Sequence, residues 1–461
     1  MTVTVVLSAD ALGEIRRALG EDVETGAVVL ARLIELPGGD LRLLVRDVIW
    51  VPDDAYVVRS PNELVVESSG YVPALAAAEA DGCTAIWLHT HPEPGASPSS
   101  SPRDDIVDMQ LAPVFRLRTD SAFYGALIVS HGDGAFRFTG HVETDSARRS
   151  IDRIWATGPR LSLIAADEHA PLPAPERFDR NIRAFGGDIQ RVLGDLRVAV
   201  VGLGGTGSAV AEQLVRLGVR RFVLIDPDTI SESNVTRVYG STPGDEGRPK
   251  VEVAADHLHR IAPDADIEPR QSMVTLEPTA RALTNVDLVF GCTDDNAGRA
   301  VLSRLASYLL TPVIDCGVLL SATGDGVLVG VDGRVTVLAP GNACLICRDR
   351  IDLRRAAAEL LTPDERRRLA DEGYAPELPG VEPAVVAFTT LVASTAVGEL
   401  LERLIGYGPD EVPSEVLLRL HEREVSTNSA APRPGHYCDP GAGKLGAGTT
   451  PVPFLEQTWP E

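Results

Sequence analysis

The sequence predicts an α/β protein in which an α+β domain precedes a doubly wound, mostly parallel sheet. At 461 residues the chain is too long for one ordinary core, so we expect two or three domains. Before about residue 145, β-rich runs and helical stretches follow one another irregularly, which is typical of an α+β domain. From about residue 177, strands and helices alternate regularly, which indicates parallel strands with helices on both faces.

The individual elements follow from these patterns. In the first part we expect one Ala-rich helix, Val72 to Asp81, and four β-rich runs: Val28 to Leu36, Leu41 to Val51, Ala85 to His89 and Ala122 to Ser130. In the second part we expect the helix Ser208 to Leu217 and the strands Arg197 to Val201, Phe222 to Asp226, Asp287 to Gly291 and Pro312 to Asp315.

Changes in composition divide the chain into four segments. We assign residues 1–145 to the first domain and 177–425 to the second. Residues 146–176 lie between them as a helix, from the helical periodicity of Asp145 to Ile164, and a Pro-rich linker. Residues 426–461 contain a short cysteine-bearing segment and a Gly/Pro/Thr tail that we expect to be disordered.

The overall composition limits the function classes. With 44% apolar and 24% charged residues, the chain as a whole is not disordered. Its net charge of −23 argues against nucleic acids and anionic membranes as partners. The apolar stretch Ala384 to Leu401 is interrupted by threonines and a serine, so it predicts a buried helix rather than a membrane span. Without a secretory signal, and with only six cysteines, we expect a cytoplasmic protein.

Two histidines at the end of an apolar run indicate a metal site. His89 and His91 are two residues apart, so on an extended strand their side chains share a face and reach one ion. Downstream, Ser101 and Asp104 have the spacing Ser-x-x-Asp, and Asp104 offers a carboxylate ligand. Two His and one Asp leave a fourth position of Zn²⁺ for water, and Glu24 is a candidate to take that water's proton.

Together these residues resemble the JAMM (JAB, or MPN-plus) metallopeptidases, which cut isopeptide bonds or C-terminal extensions from ubiquitin-like proteins. The resemblance covers about the first 140 residues. It implies zinc ligands at His89, His91 and Asp104, a catalytic base at Glu24 and an oxyanion-stabilising hydroxyl at Ser101.

The spacing departs from that family in one respect. The usual gap after the second histidine leads to Ser99, and Pro102 would then fill the aspartate position. The pair Ser101 and Asp104 fits only with a two-residue insertion in a Pro/Gly/Ser loop, and Asp105 remains a rival ligand.

A glycine-rich turn opens the second domain. Four glycines between a strand and a helix allow backbone N–H groups to approach an anion at the helix N-terminus: Gly202, Gly204, Gly205 and Gly207. Asp226 ends the next strand, where a ribose contact is expected for either NAD or ATP. Asn234, Arg237 and Lys250 follow, and the cationic pair Arg237 and Lys250 suits a triphosphate better than hydride transfer. Asp294, after a later strand, can hold Mg²⁺.

These features, in this order, resemble the ubiquitin-activating superfamily of the ThiF/MoeB type, with a Rossmann-like fold. That resemblance runs from Arg177 to about His421, and such enzymes adenylate the C-terminal glycine of ubiquitin-like proteins. It implies that Asp226 binds ribose, that Mg²⁺ binds Asp294, and that the phosphates are held by Asn234, Arg237 and Lys250. It also implies a homodimer in which Arg180 enters the partner's ATP site. A plain NAD oxidoreductase is the alternative.

The cysteines suggest a structural zinc site but no thioester. Cys344 and Cys347 form the Cys-x-x-Cys of a zinc knuckle, and the second pair usual in the family is replaced by His436 and Cys438. An empty, degenerate pair is the alternative. The loop 348–383, where such enzymes carry a thioester cysteine, has none, so we expect the chain to stop at the adenylate. Cys292 and Cys316 are more typical of packing.

The combined hypothesis is a fusion enzyme that uses Zn²⁺, ATP and Mg²⁺. The first domain would cleave a ubiquitin-like precursor or conjugate, and the second would activate the exposed glycine for a conjugating partner. One alternative is a sulfur-carrier adenylyltransferase that works with a sulfur donor to form a thiocarboxylate. Another is a non-catalytic scaffold that binds the modifier.

Overall fold

The computed structural model describes residues 1–92, 98–132, 135–166, 175–323, 327–362, 364–365 and 384–460. The chain divides into two compact units. Unit 1 comprises Met1–Ala170 with Gly446–Thr449, and unit 2 comprises Pro171–Leu445 with Thr450–Glu461. Most of the predicted Pro-rich linker, residues 167–174, lies outside the described residues, as does the loop segment 93–97.

Unit 1 is built on a nine-stranded mixed sheet with a separate two-stranded hairpin. The sheet has the order β11-β10-β1-β3-β2-β6-β7-β8-β9, and β4 pairs with β5 in the hairpin. Its elements are β1 Val3–Ser8, α1 Ala9–Ala18, β2 Gly26–Glu35, β3 Leu41–Trp50, β4 Tyr56–Ser60, β5 Glu63–Val66, α2 Val72–Asp81, β6 Thr84–His91, α3 Pro102–Thr119, β7 Tyr124–Gly132, β8 Ala135–Glu143, β9 Arg148–Ser150, β10 Arg153–Thr157 and β11 Ser162–Ala165.

Both faces of this sheet are buried, which explains the continuous apolar runs of its central strands. Alternate residues of β2 divide between two cores: Val29 packs with Leu12 of α1, and Val28 packs with Leu75 of α2 and Phe115 of α3. Because β2 runs antiparallel to β6, with Gly26 opposite His89, the segment before β2 lies beside the end of β6.

The predicted helix over Asp145 to Ile164 is wrong, because this segment forms β9, β10 and β11. β10 pairs in parallel with β1, and the Asp152 carboxylate accepts a hydrogen bond of 2.7 Å from the backbone N–H of Val3. Trp155 is fully buried. Pairing with the first strand of the chain therefore overrides the local helical periodicity.

Unit 2 contains the predicted Rossmann-like sheet. Its order is β14-β13-β12-β15-β16-β17-β18-β19, in which the first five strands are parallel and the last three join antiparallel. Its elements are α4 Asp179–Asp195, β12 Arg197–Val201, α5 Gly205–Leu217, β13 Arg221–Ile225, α6 Lys250–Ile261, β14 Asp266–Arg270, α7 Glu277–Ala282, β15 Leu288–Gly291, α8 Asn296–Tyr308, β16 Val313–Ala322, β17 Leu328–Leu338, α9 Leu353–Glu359, α10 Val386–Ile405, β18 Glu415–Arg419 and β19 Glu424–Asn428.

The end of the chain is more ordered than its Gly/Pro-rich composition predicts. It forms 3₁₀ turns at Pro440–Ala442 and Phe454–Glu456, and Phe454 and Leu455 are fully buried. The Tyr308 hydroxyl of α8 donates a 2.9 Å hydrogen bond to the Glu456 carboxylate. Two buried apolar side chains thus anchor a segment for which composition alone predicts disorder.

Within the described residues, no helix is both long and apolar enough to cross a membrane.

Candidate nucleotide and metal sites

The turn between β12 and α5 requires its glycines. Gly202 has φ of +88°, and a Cβ atom there would lie 2.7 Å from the backbone carbonyl of Cys292. A Cβ atom on Gly207 would lie 1.8 Å from the Gly202 carbonyl oxygen. Gly204 is the N-cap of α5, which begins at Gly205. The N-terminus of α5 is therefore open to an anion, and the turn packs directly against the residues that follow β15.

Asp226 and Lys250 meet beside this turn. The Asp226 carboxylate is 5% exposed and accepts hydrogen bonds from the backbone N–H groups of Leu203, at 2.6 Å, and Asp228, at 2.9 Å. The Lys250 ammonium lies 3.7 Å from Asp226 and 2.7 Å from the Asp228 carboxylate. Burial raises the pKa of Asp226, although Lys250 and the two N–H groups act in the opposite direction. The structure thus brings two predicted site residues and the glycine turn together.

The other predicted residues of this site take varied positions. The buried Asn234 accepts a hydrogen bond from the Ser231 N–H at 3.1 Å, which closes a local turn. The Arg237 guanidinium donates to the Ser233 carbonyl at 2.8 Å. Asp294 is exposed after β15, at the carboxyl edge of the parallel strands, where such sheets bind ligands.

Arg180 is exposed on α4. Its predicted action in the site of a second copy stays a prediction.

A protein-family comparison agrees with this site. The ThiF family model matches residues 178–438, which is more than half of the chain. The chain belongs to the ThiF family. The match includes the glycine turn, Asp226 and Lys250. It also includes a group of cysteine and histidine residues in unit 2: Cys344, Cys347, His436 and Cys438.

Curated relatives include adenylyltransferases and activating enzymes. The molybdopterin-synthase adenylyltransferase of Escherichia coli (strain K12) is 34% identical over 179 residues, covering 38% of this chain and 68% of that protein. The sulfur carrier protein ThiS adenylyltransferase of the same strain is 35% identical over 153 residues, covering 33% and 57%. Ubiquitin-like modifier-activating enzyme 5 of Caenorhabditis elegans is 27% identical over 332 residues, covering 68% and 73%.

Within the ThiF region, three cysteines and one histidine converge. Their ligand atoms all lie within 4.8 Å of one another: Cys344, Cys347, His436 and Cys438. His436 Nδ1 is 3.5 Å from the Cys344 sulfur and 3.3 Å from those of Cys347 and Cys438. The Cys347 and Cys438 sulfurs are 3.6 Å apart.

These distances suit one tetrahedral ion. Zn–S bonds of about 2.3 Å at tetrahedral angles place two sulfurs about 3.8 Å apart, close to the observed separation. A hydrogen bond from Cys438 lowers the pKa of Cys344 to about 4, so a thiolate is available as a ligand. The residues therefore fit a structural Zn²⁺.

A second group lies in unit 1, outside the residues matched by the ThiF family. His89 and His91 end β6, and their Nε2 atoms are 3.2 Å apart. Asp104, in the first turn of α3, places Oδ1 3.4 Å from His89 and Oδ2 3.9 Å from His91. Two nitrogens bonded at about 2.05 Å to a tetrahedral zinc stand about 3.3 Å apart, so this group also fits Zn²⁺.

Capping of α3 positions the carboxylate ligand. The Ser101 hydroxyl accepts a 3.2 Å hydrogen bond from the Asp104 N–H, and the Asp104 carboxylate accepts a 2.7 Å bond from the Ser101 N–H. Burial pushes the pKa of Asp104 upward, but hydrogen bonds from His89 and Ser101 outweigh it and hold that pKa below its usual range. Among the described residues, the carboxylate that groups with the two histidines is that of Asp104. The alternative carboxylate, that of Asp105, is exposed and lies outside the group.

Glu24 lies next to the group of His89, His91 and Asp104. Its Oε1 is 3.9 Å from His91 Nε2, and its side chain is mostly buried, with 11% exposed. Burial raises the pKa of Glu24 to about 7, with His89 acting in the opposite direction. A carboxyl group with this pKa can both accept and return a proton near neutral pH.

Sequence reasoning missed the residues that hold Glu24. Arg59, in β4, donates to the Glu24 carbonyl at 3.2 Å and to the Thr25 hydroxyl at 2.7 Å. The turn Ser60-Pro61-Asn62 between two short β-rich runs indicates the hairpin that carries Arg59. Nothing in the local sequence indicates where that hairpin packs.

Proposed function

We propose that the ThiF unit uses ATP and Mg²⁺ to adenylate the C-terminal glycine of a ubiquitin-like protein, with release of pyrophosphate. The observation that carries this proposal is the joining of Asp226, Lys250 and the glycine turn at the carboxyl edge of the parallel sheet. The names of the three relatives support it, because each is an adenylyltransferase or a modifier-activating enzyme.

Each residue has a role that suits its position. Asp226 would bind the ribose hydroxyls, and the N-terminus of α5 would face the phosphates. Lys250 and Arg237 would neutralise the charge that develops as pyrophosphate leaves, and Asn234 would contact the phosphates as an uncharged polar group. The exposed Asp294 would hold Mg²⁺, which would offset the negative charge of the phosphates.

ATP–pyrophosphate exchange by the full chain tests this function. Exchange is measured with and without candidate ubiquitin-like proteins that end in Gly-Gly. We expect exchange to require the modifier and to disappear in Asp294→Ala, because the metal ligand is lost. Asp188→Ala is the matched control, since that carboxylate is 92% exposed on α4, and it should exchange like the wild type. Modifier-independent exchange, or full exchange by Asp294→Ala, would contradict the assignment.

A sulfur-carrier pathway is a second candidate with equal support from the relatives. The two Escherichia coli relatives are named for molybdopterin synthase and for the sulfur carrier ThiS. The absence of a cysteine from residues 348–383 favours an enzyme that passes its adenylate to an outside nucleophile. Mass spectrometry of the modifier after incubation with ATP, a persulfide donor and a thiol that reduces the resulting acyl disulfide separates the candidates. A thiocarboxylate supports sulfur transfer, whereas an acyl link to a protein supports conjugation.

For unit 1, the proposal is a zinc peptidase of the JAMM type that cleaves the amide bond after the glycine of a ubiquitin-like protein. His89, His91 and Asp104 would hold Zn²⁺, which supplies Lewis acidity and lowers the pKa of bound water. Glu24 would take the proton of that water and deliver it to the leaving amine. The Ser101 hydroxyl, beside the ligand Asp104, would stabilise the oxyanion.

The substitution Glu24→Gln tests catalysis apart from binding. We expect it to keep the zinc and to reduce cleavage of an amide-linked modifier by about 10²–10⁴-fold, the usual contribution of a general base. Glu35→Gln is the control, because Glu35 is exposed at the end of β2 that lies away from Glu24, and it should cleave like the wild type. No cleavage by the wild type would favour a modifier-binding scaffold, whereas equal cleavage by the wild type and Glu24→Gln would contradict the role of Glu24.

Fusing the two units would let one substrate tail visit both sites. A tether raises the effective concentration of the second site for a modifier released at the first. A homodimer would follow from Arg180 acting across the two copies.

A further inference from the structure

The β4–β5 hairpin holds the segment that carries Glu24. Three consecutive residues of that segment bond to the hairpin through main-chain or side-chain groups. The Glu24 N–H donates to the Ser60 carbonyl at 3.0 Å, and the Gly26 N–H donates to the Tyr56 hydroxyl at 3.1 Å. Glu24 and Thr25 precede β2, and the ladder of β2 with β6 begins at Gly26.

Arg59 makes the central contact of this arrangement. Its guanidinium bridges the Glu24 carbonyl, at 3.2 Å, and the Thr25 hydroxyl, at 2.7 Å. The same group lies 4.8 Å from the centre of the Tyr56 ring and 3.3 Å from the Asp53 carboxylate. The planar, always charged guanidinium suits this bidentate and stacked position in a way that a lysine does not.

The opposite side of the segment is tied to the strand that carries the histidines. The Thr25 N–H donates to the Thr90 hydroxyl at 2.9 Å, and the Thr90 N–H donates to the Thr25 carbonyl at 3.0 Å. Thr90 lies between His89 and His91. Arg59 therefore contacts one side of the segment Glu24-Thr25. The other side of this segment is hydrogen-bonded to Thr90, which lies between the two histidines.

From these contacts we propose that Arg59 is a positioning residue for the peptidase reaction, which sets the distance between the Glu24 carboxylate and the group of His89, His91 and Asp104. The inference rests on the zinc peptidase function proposed above. Arg59 touches neither the ligand group nor the reacting atoms in this arrangement. Its effect passes through the Glu24 carbonyl and the Thr25 hydroxyl. A displacement of about 1 Å in a catalytic group can cost about 10²-fold in rate. The indirect contact of Arg59 with the Glu24 segment can therefore affect the reaction.

Steady-state cleavage of a ubiquitin-like protein with an amide-linked coumarin at its C-terminal glycine tests the proposal in the zinc-loaded full chain. We expect Arg59→Ala to lower kcat by about 10–10²-fold with KM changed less than about threefold, because a catalytic group is misplaced while the binding surface remains. Arg59→Lys should recover part of kcat, since one of the two contacts can form. Asp53→Ala is the matched control. Its carboxylate is 94% exposed and accepts from Arg59 Nη1, whereas Nε and Nη2 contact Glu24 and Thr25, so this variant should cleave like the wild type.

Hydrogen–deuterium exchange supplies a readout that does not depend on activity. In Arg59→Ala, we expect faster exchange in peptides covering residues 23–27, with zinc content and exchange over β6 unchanged. Wild-type protein that cleaves nothing, together with faster exchange in the variant, would refute the peptidase function while the contact itself stands. Faster exchange with an unchanged kcat would overturn the positioning role. Unchanged exchange and unchanged kcat would overturn the inference altogether.

Discussion

The Asp226 carboxylate accepts a 2.6 Å hydrogen bond from the backbone N–H of Leu203, which joins the end of β13 to the glycine turn after β12. The residue expected to bind ribose thus also sets the shape of the turn that faces the phosphates. Burial raises the pKa of Asp226, and Lys250 at 3.7 Å helps to keep it charged. With the roles proposed above, nucleoside and phosphate binding would be coupled through one carboxylate.

This coupling predicts the effect of Asp226→Asn on ATP affinity. The substitution replaces one carboxylate oxygen with an NH₂ group, which cannot accept a hydrogen bond. Either the Leu203 N–H or the Asp228 N–H therefore loses its acceptor. Hydrogen bonds to charged groups contribute about 1.5–3 kcal/mol, so we expect ATP to bind about tenfold to a hundredfold more weakly. Calorimetric titration measures this. Asp228→Asn, which removes an exposed partner of Lys250, should weaken ATP by less, and the opposite ranking would contradict the role of Asp226.

The Cys/His group in unit 2 predicts a second zinc ion and a stability cost for its loss. We expect two zinc ions per chain by elemental mass spectrometry, one for each ligand group. Cys438→Ala should leave one and lower the melting temperature of unit 2 by roughly 5–10 °C, because bound metal stabilises only the folded form. Cys83→Ala, which removes a buried cysteine outside both groups, should retain both ions. A zinc content unaffected by Cys438→Ala would refute the site.

His141 predicts how the stability of unit 1 depends on pH. The ring is 8% exposed, and its Nδ1 accepts a 3.0 Å bond from Arg148. Burial, with Arg148, lowers its pKa from 6.5 to about 4. The other titratable groups that face it are Asp105, Asp108, Tyr124 and Glu143. The carboxylates of Glu143 and Asp108, at 3.7 and 3.8 Å from Nε2, do not reverse the lowering of the pKa. A proton on Nδ1 would be repelled by the Arg148 guanidinium, which donates to that nitrogen.

The sign of the effect follows from the lowered pKa. Between about pH 6.5 and 4 the unfolded chain binds the proton and the folded chain does not, so stability falls as the pH falls through this range. The loss is on the order of 2–3 kcal/mol. Urea unfolding of the wild type and His141→Gln at several pH values measures it. The variant should lose less stability over this range, and identical slopes for both proteins would show that His141 stays protonated when folded.

The parts of the sites that the sequence predicts are those whose residues are linked by local spacing or by the motif of a known family. His89, His91 and Asp104 follow from a strand end and a helix cap, and the structure brings their ligand atoms together. Arg59 was missed because its partner Glu24 lies 35 residues away and no motif links them. The helix predicted over Asp145 to Ile164 failed for the same reason, since its pairing partner is the first strand, 149 residues earlier for Asp152 and Val3.

The exposed position of Arg180 on α4 makes catalysis across two copies testable by complementation. If Arg180 acts in the partner's site, Arg180→Ala and Asp294→Ala each inactivate a homodimer, but a mixed dimer contains one site with both residues intact. We expect a refolded or co-expressed mixture to recover up to about a quarter of wild-type ATP–pyrophosphate exchange, since half of the dimers are mixed and each has one working site. Mixing Asp294→Ala with Lys250→Ala is the control, because both residues serve the same site within one copy, and that mixed dimer keeps no intact site. Recovery in neither mixture would place Arg180 in its own copy's site, and an active Arg180→Ala homodimer would place it outside catalysis.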